Sequence, residues 1–130
     1  MPFRFLDDEP VFCLITTSDG RNWGVPKGMI DPGNTVIETA LQEAHEEAGL
    51  HGTIVVPAVT SYSYKKWGTR LVVEVYLMEV TEMDDEWDEM HIRERRWCDG
   101  DTALELVADR PMADALAMAI EQVRGLPSSA

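Results

Sequence analysis

Three glutamates, Glu43, Glu46 and Glu47, lie inside a stretch, Thr35 to Ala48, that holds neither Gly nor Pro. On a helix they fall at i, i+3 and i+4, on one flank and adjacent turns. Like charges so placed repel, and the stretch contains no lysine to interleave them. A divalent cation would neutralise the cluster. Carboxylate oxygens are hard ligands that suit Mg²⁺ or Mn²⁺, and such an ion can activate water and polarise phosphoryl oxygens. The plainer alternative is a solvated acidic face on a protein that is acidic throughout.

Directly before the helix, the segment from Trp23 to Gly33 carries three glycines and two prolines in eleven positions. That composition describes an irregular loop with a defined path. Asn34 is a candidate N-cap, Glu38 favours the helix dipole and Gly49 supplies the stop. Ile37, Ala40, Leu41, Ala44 and Ala48 form an apolar stripe to face a sheet, and Glu38, Gln42 and His45 face solvent. Strands are expected at 3–6, 11–17, 53–64, 70–80 and 95–98, with a hairpin loop over 65–69 and a mobile acidic loop over 82–91. Asp101 caps a helix over about 102–109. Pro111 opens a last helix, whose Met112, Leu116, Ile120 and Val123 recur at helical spacing. The tail 126–130 is expected to fray. Strands, loop, helix, strands, helices make a mixed α/β chain, expected as one domain over residues 1–130.

Eleven Lys+Arg against 24 Asp+Glu give a net charge of −13. Polymeric nucleic acid needs a basic surface, so it is excluded as the main ligand; a small phosphorylated ligand is not, since a metal inverts the field of one site. No apolar run reaches membrane-spanning length and no signal peptide is legible, so no membrane partner is expected. Cys13 and Cys98 read as reduced core cysteines of a cytoplasmic protein.

The string from Gly28 to Leu50 resembles the Nudix box, G-x5-E-x7-R-E-U-x-E-E-x-G-U, where U is aliphatic. Gly28, Glu43, Glu46, Glu47, Gly49 and Leu50 match it, Ala44 stands at the first U, and Pro26-Lys27 precedes it as is usual there. The resemblance implies a Nudix-type α/β/α sandwich with a mixed central sheet. It also implies metal-dependent hydrolysis of a phosphoanhydride in a nucleoside diphosphate linked to another group, with Mg²⁺ or Mn²⁺ as cofactor. Glu46 and Glu47 would bind metal with the Gly28 carbonyl, and Glu43 would be a second metal contact or the general base. Glu89 and Glu94 are both candidates for a further acidic ligand.

Two positions depart from the box: Asn34 replaces its first glutamate and Gln42 its arginine. Losing both charges leaves no orphan, and an Asn–Gln amide hydrogen bond could take their place. The departures keep open a weakly catalytic Nudix-fold module that binds a nucleotide-like ligand. Trp87, Arg95-Arg96-Trp97 and residues 99–106 resemble the diphosphoinositol polyphosphate and diadenosine polyphosphate hydrolase subgroup. Such anionic substrates need local basic residues. Lys27, Lys65, Lys66, Arg70, Arg93, Arg95 and Arg96 are available, with Lys27, Lys65, Arg70 and Arg95 taken as the substrate-binding set. Monomer and homodimer both remain open.

Overall fold

A computed structural model describes residues 1–127. Six strands, β1 (Pro2–Leu6), β2 (Glu9–Thr16), β3 (Trp23–Gly24), β4 (Leu50–Lys66), β5 (Thr69–Met83) and β6 (Arg95–Cys98), form one sheet. Three helices complete the described residues: α1 (Val36–Ala48), α2 (Gly100–Leu106) and α3 (Arg110–Arg124). The path runs β3-β2-β1-β5-β4, with β6 on β2. Only β1–β5 is parallel, so the sheet is mixed.

Residue alternation along β2 builds the layers. Phe12 and Leu14 face one side, with Phe3, Leu77 and the α3 residues Leu116, Ile120 and Val123. Cys13 and Ile15 face the other, with Ala44 and Ala48 of α1, Leu50 and Met78. Cys98 belongs to the first cluster. The sheet is thus covered on both faces, the expected α/β/α sandwich, because period-two strands meet helices with period-3.6 stripes. Truncating a fully buried leucine such as Leu116 to alanine should cost about 2–5 kcal/mol. Among the described residues no helix is long and apolar enough to cross a membrane.

Several boundaries differ from expectation, each for a local reason. Thr35, not Asn34, caps α1: its hydroxyl accepts from the Glu38 N–H, and the Glu38 carboxylate accepts from the Thr35 N–H. Asp99, not Asp101, caps α2, which ends at Leu106, and Asp109 caps α3 ahead of Pro111. The β4–β5 connection is only Trp67-Gly68, both at positive φ, the geometry of a tight two-residue hairpin. Lys65 and Lys66 therefore lie in β4. Ile37 is 37% exposed, being in the first turn of α1, while Glu47 rather than Ile37 is buried. The acidic segment is partly strand, since β5 runs to Met83, and the rest is tied down: the Glu89 N–H donates to the Glu46 carbonyl and Trp87 Nε1 to the Glu47 carbonyl. Of the tail, Leu126 still donates to the Val123 carbonyl, and residues 128–130 lie outside the described chain.

Candidate active site

The capping box fixes where α1 begins, and Gly49 fixes where it ends. At Gly49 φ is 65°, and its N–H closes back on the Ala44 and His45 carbonyls. Between these ends the glutamates meet the Gly-rich loop. A Cβ at Gly28 would meet the Glu43 carboxyl and force it to move, so glycine lets the loop lie against the helix with Glu43 in this position. One residue earlier, the Lys27 N–H donates to Glu47 Oε1 at 3.3 Å. The loop thus delivers backbone to two of the three carboxylates.

Glu47 is only 5% exposed. Burial, reinforced by a hydrogen bond to Glu43, pushes its carboxyl up to about 8. Arg93 and the Lys27 N–H pull the other way. Burial prevails because Arg93 is shared: its Nη2 lies 3.7 Å from Glu47 Oε1, its Nε donates to Glu89 at 2.8 Å and its Nη1 to the Thr16 carbonyl at 2.9 Å. Without metal, Glu47 is therefore the carboxyl that holds its proton, with Glu43 hydrogen-bonded to it. A group of touching carboxylates with less positive charge than it needs suits a hard dication, and the donors are all oxygen. The residues present fit Mg²⁺ or Mn²⁺.

Glu46 is held from the other side. Gln42 Nε2 donates to Glu46 Oε1 at 3.0 Å, and Asn34 Nδ2 donates to Gln42 Oε1 at 3.4 Å. The two residues that depart from the box form an amide relay ending on a carboxylate.

Two clefts flank the loop. One, of about 550 Å³, is lined by Trp23, Lys27, Glu47 and Arg93. The other, of about 750 Å³, is lined by Lys27, Gly28 and Glu43 and by the apolar walls Ile30, Val36, Tyr62, Val73 and Val75. Lys27 lines both and is the one substrate-set residue that does. Lys65 and Arg70 pair across the hairpin and line neither cleft, whereas Lys66, on the other face of β4, lines the larger one. Arg95 also stands elsewhere. Its Nη1 donates to the Ala48 carbonyl at 2.8 Å and its Nη2 to the Asp84 carbonyl at 2.6 Å, and it lies over the Trp87 ring. It satisfies one orphan carbonyl at the end of α1, that of Ala48, and the Asp84 carbonyl just beyond β5.

Glu89 is one guanidinium away from Glu47, whereas Glu94 is exposed. Arg93 is the residue the sequence underrated. It stood among seven basic candidates, and its spacing of four from Glu89 was the only local signal.

The NUDIX domain model matches residues 5–118. Nudix hydrolase 17, mitochondrial, of Arabidopsis thaliana is 29% identical over 137 residues, covering 95% of this chain and 72% of that protein. The asymmetrical bis(5'-nucleosyl)-tetraphosphatase of Sus scrofa is 35% identical over 79 residues, 58% of this chain and 54% of that protein. The C. elegans Ap4A hydrolase structure superposes with a TM-score of 0.76 at 23% identity, covering 94% of this chain and 92% of that one, a likeness of fold.

Proposed function

Since the chain belongs to the Nudix family of pyrophosphohydrolases, we propose that it cleaves a phosphoanhydride bond of a dinucleoside polyphosphate with Mg²⁺ or Mn²⁺ as cofactor. The observation that carries this reading is the Glu43–Glu47 carboxyl pair beneath the Gly28 loop, Glu47 buried, with Glu46 held beside it by Gln42. Glu46 and Glu47 would hold the metal, with Glu43 and the Gly28 carbonyl as further ligands. When bound, the ion supplies a Lewis acid for the phosphate oxygens and a source of activated water.

The chain's own residues do the rest. Lys27, shared by both clefts, binds and orients the phosphates. Arg93, 3.7 Å from Glu47 and bonded to Glu89, places one positive charge between the two carboxylates. Gln42 keeps Glu46 in one orientation, which shortens the search for a productive geometry. Glu89, through Arg93, is the better placed candidate for the further acidic role than Glu94.

The cleft walls favour a nucleoside over an inositol pyrophosphate. A base has an apolar face to lay on Tyr62, Val73 and Ile30, whereas an inositol ring surrounded by phosphates has none. Lys27, Lys66 and Arg93 are the basic residues lining the two clefts, few for a ligand with phosphates all round. The similarity to a bis(5'-nucleosyl)-tetraphosphatase points the same way. The intact Asn34–Gln42–Glu46 relay favours an enzyme over a binding module, which would have no need to orient Glu46.

The test is a product assay with Mg²⁺ and Mn²⁺, the nucleotides and other phosphate products being resolved by anion-exchange chromatography, across dinucleoside polyphosphates, nucleotide sugars, nucleoside triphosphates and inositol pyrophosphates. Dinucleoside polyphosphates should give the highest kcat/KM. Glu46→Gln and Glu47→Gln should each lower turnover by about a hundredfold or more, roughly 3 kcal/mol of transition-state stabilisation. Retained turnover in both variants would remove the chemical basis of the reading.

A further inference from the structure

At the far end of α1 a second group of ligand-type side chains comes together, of a different chemistry. His45 lies in the last turn of α1, His51 is the second residue of β4, and Asp84 follows directly on β5. Both imidazole Nε2 atoms converge on one oxygen, Asp84 Oδ2, at 3.7 Å from His45 and 2.8 Å from His51. The rings lie 4.7 Å apart, centroid to centroid. Potential ligand atoms of all three residues lie within 4.8 Å of one another.

We propose that His45, His51 and Asp84 form a second metal site, for a borderline divalent transition ion such as Zn²⁺, distinct from the glutamate cluster. Two imidazoles and one carboxylate are the donor set of such ions, whereas Mg²⁺ prefers oxygen alone. Bonds of 2.0–2.1 Å in tetrahedral geometry put ligand atoms about 3.3 Å apart. The three residues already approach that spacing, and small side-chain rotations complete it. The side chains of His45, His51 and Asp84 are 54%, 39% and 32% exposed, which leaves an entry path and room for a water as fourth ligand.

The backbone beneath the group is fixed. The Asp84 N–H donates to the Gly49 carbonyl at 2.8 Å, and the Asp84 carbonyl accepts from Arg95. Arg95 also holds the Ala48 carbonyl, so its charge is directed at carbonyls and not at the imidazoles. One ion here would join the C-terminal turn of α1 to the start of β4 and the end of β5. On the wheel of α1, His45 lies about 160° from Glu43 and Glu47 and about 100° from Glu46, so its ring points away from the glutamate cluster.

The experiment is calorimetric titration of the full chain with Zn²⁺ in buffer saturated with Mg²⁺, which occupies the oxygen cluster. The same titration is run on Glu46→Gln/Glu47→Gln, His45→Gln, His51→Ala and Asp84→Asn. One Zn²⁺ should bind to the wild type and to the double glutamine variant alike. Each change at His45, His51 or Asp84 should weaken that binding at least about tenfold. Mg²⁺-supported turnover should stay unchanged in His45→Gln. Imidazole proton resonances of His45 and His51 should shift together at one equivalent of Zn²⁺. Equal Zn²⁺ affinity in the histidine variants, loss of binding in the double glutamine variant, or unmoved imidazole resonances would overturn the proposal. His45→Gln changes the most exposed member and keeps the test open should His51→Ala fail to fold.

Discussion

Glu47 binds a proton in the metal-free fold that it gives up in the unfolded chain, and this makes stability depend on pH. Its carboxyl rises from 4.5 to about 8 through burial first and the Glu43 hydrogen bond second. A raised carboxyl is at its most favourable below 4.5, where both states are protonated. Its contribution is lost as pH climbs through 8, because only the unfolded state ionises freely between the two values. The buried Met1 amino group, lowered to about 5, works with the opposite sign over much of the same window. The informative quantity is therefore the difference between two proteins. Without metal, the melting midpoint of the wild type should fall between pH 5 and pH 8 relative to that of Glu47→Gln, in which the Met1 effect is unchanged. Parallel curves in differential scanning calorimetry would show that Glu47 is not the residue holding the proton. At this scale the sequence was partly legible. The spacing of Glu43, Glu46 and Glu47 marked the residues as one polar stripe beside the apolar one but did not show that Glu47 is buried, because a wheel has no knowledge of the loop that covers it.

Helix α1 is fixed at both ends by residues whose types the sequence displayed and whose exact duties it did not. Thr35, Asn34, Asp99 and Asp101 are all residues that cap, so pattern alone leaves the choice within one or two positions. With Thr35 as cap, Asn34 is released to reach Gln42. Asn34→Glu together with Gln42→Arg should raise turnover, because a charged pair holds Glu46 more firmly than two amides. Asn34→Glu alone should lower it, since the new carboxylate competes with Glu46 for the Gln42 amide. Gln42 is exposed, so stability should change little and kcat is the measurement that decides. Strictly additive kcat changes in the double-mutant cycle would mean that the relay carries no coupling. Arg93 and Arg95 were illegible in detail because their partners are distant in sequence. Arg95 bonds a carbonyl 47 residues away and Arg93 one 77 residues away. Only the folded sheet brings Thr16, Ala48 and β6 together. Lys65 and Arg70 line neither cleft for the opposite reason. A hairpin tighter than the composition indicated turns them to the face of the ribbon away from the cleft.

As a whole molecule the protein is two packed interfaces sharing one sheet, and the sequence conveyed this well. Alternation along β2 and the 3.6 period of α1 and α3 are long-range signals that need no tertiary knowledge. The glutamate cluster belongs to one interface only. Mn²⁺ should raise the melting midpoint by binding the folded state alone, and this gain should vanish in Glu46→Gln/Glu47→Gln. A rise that survives in that variant would place the ion elsewhere. The two free thiols make the interfaces separately observable. Cys13 is fully buried under α1 with its ionisation pushed up to about 12, and Cys98 lies under the α2–α3 layer. A thiol of that kind reacts with an alkylating reagent only when its own layer opens. Labelling rates of Cys13 and Cys98, read separately by mass spectrometry, thus become two independent clocks for the opening of the two halves of the sandwich. A divalent ion on the glutamates of α1 should slow the Cys13 clock and leave the Cys98 clock running at its former rate.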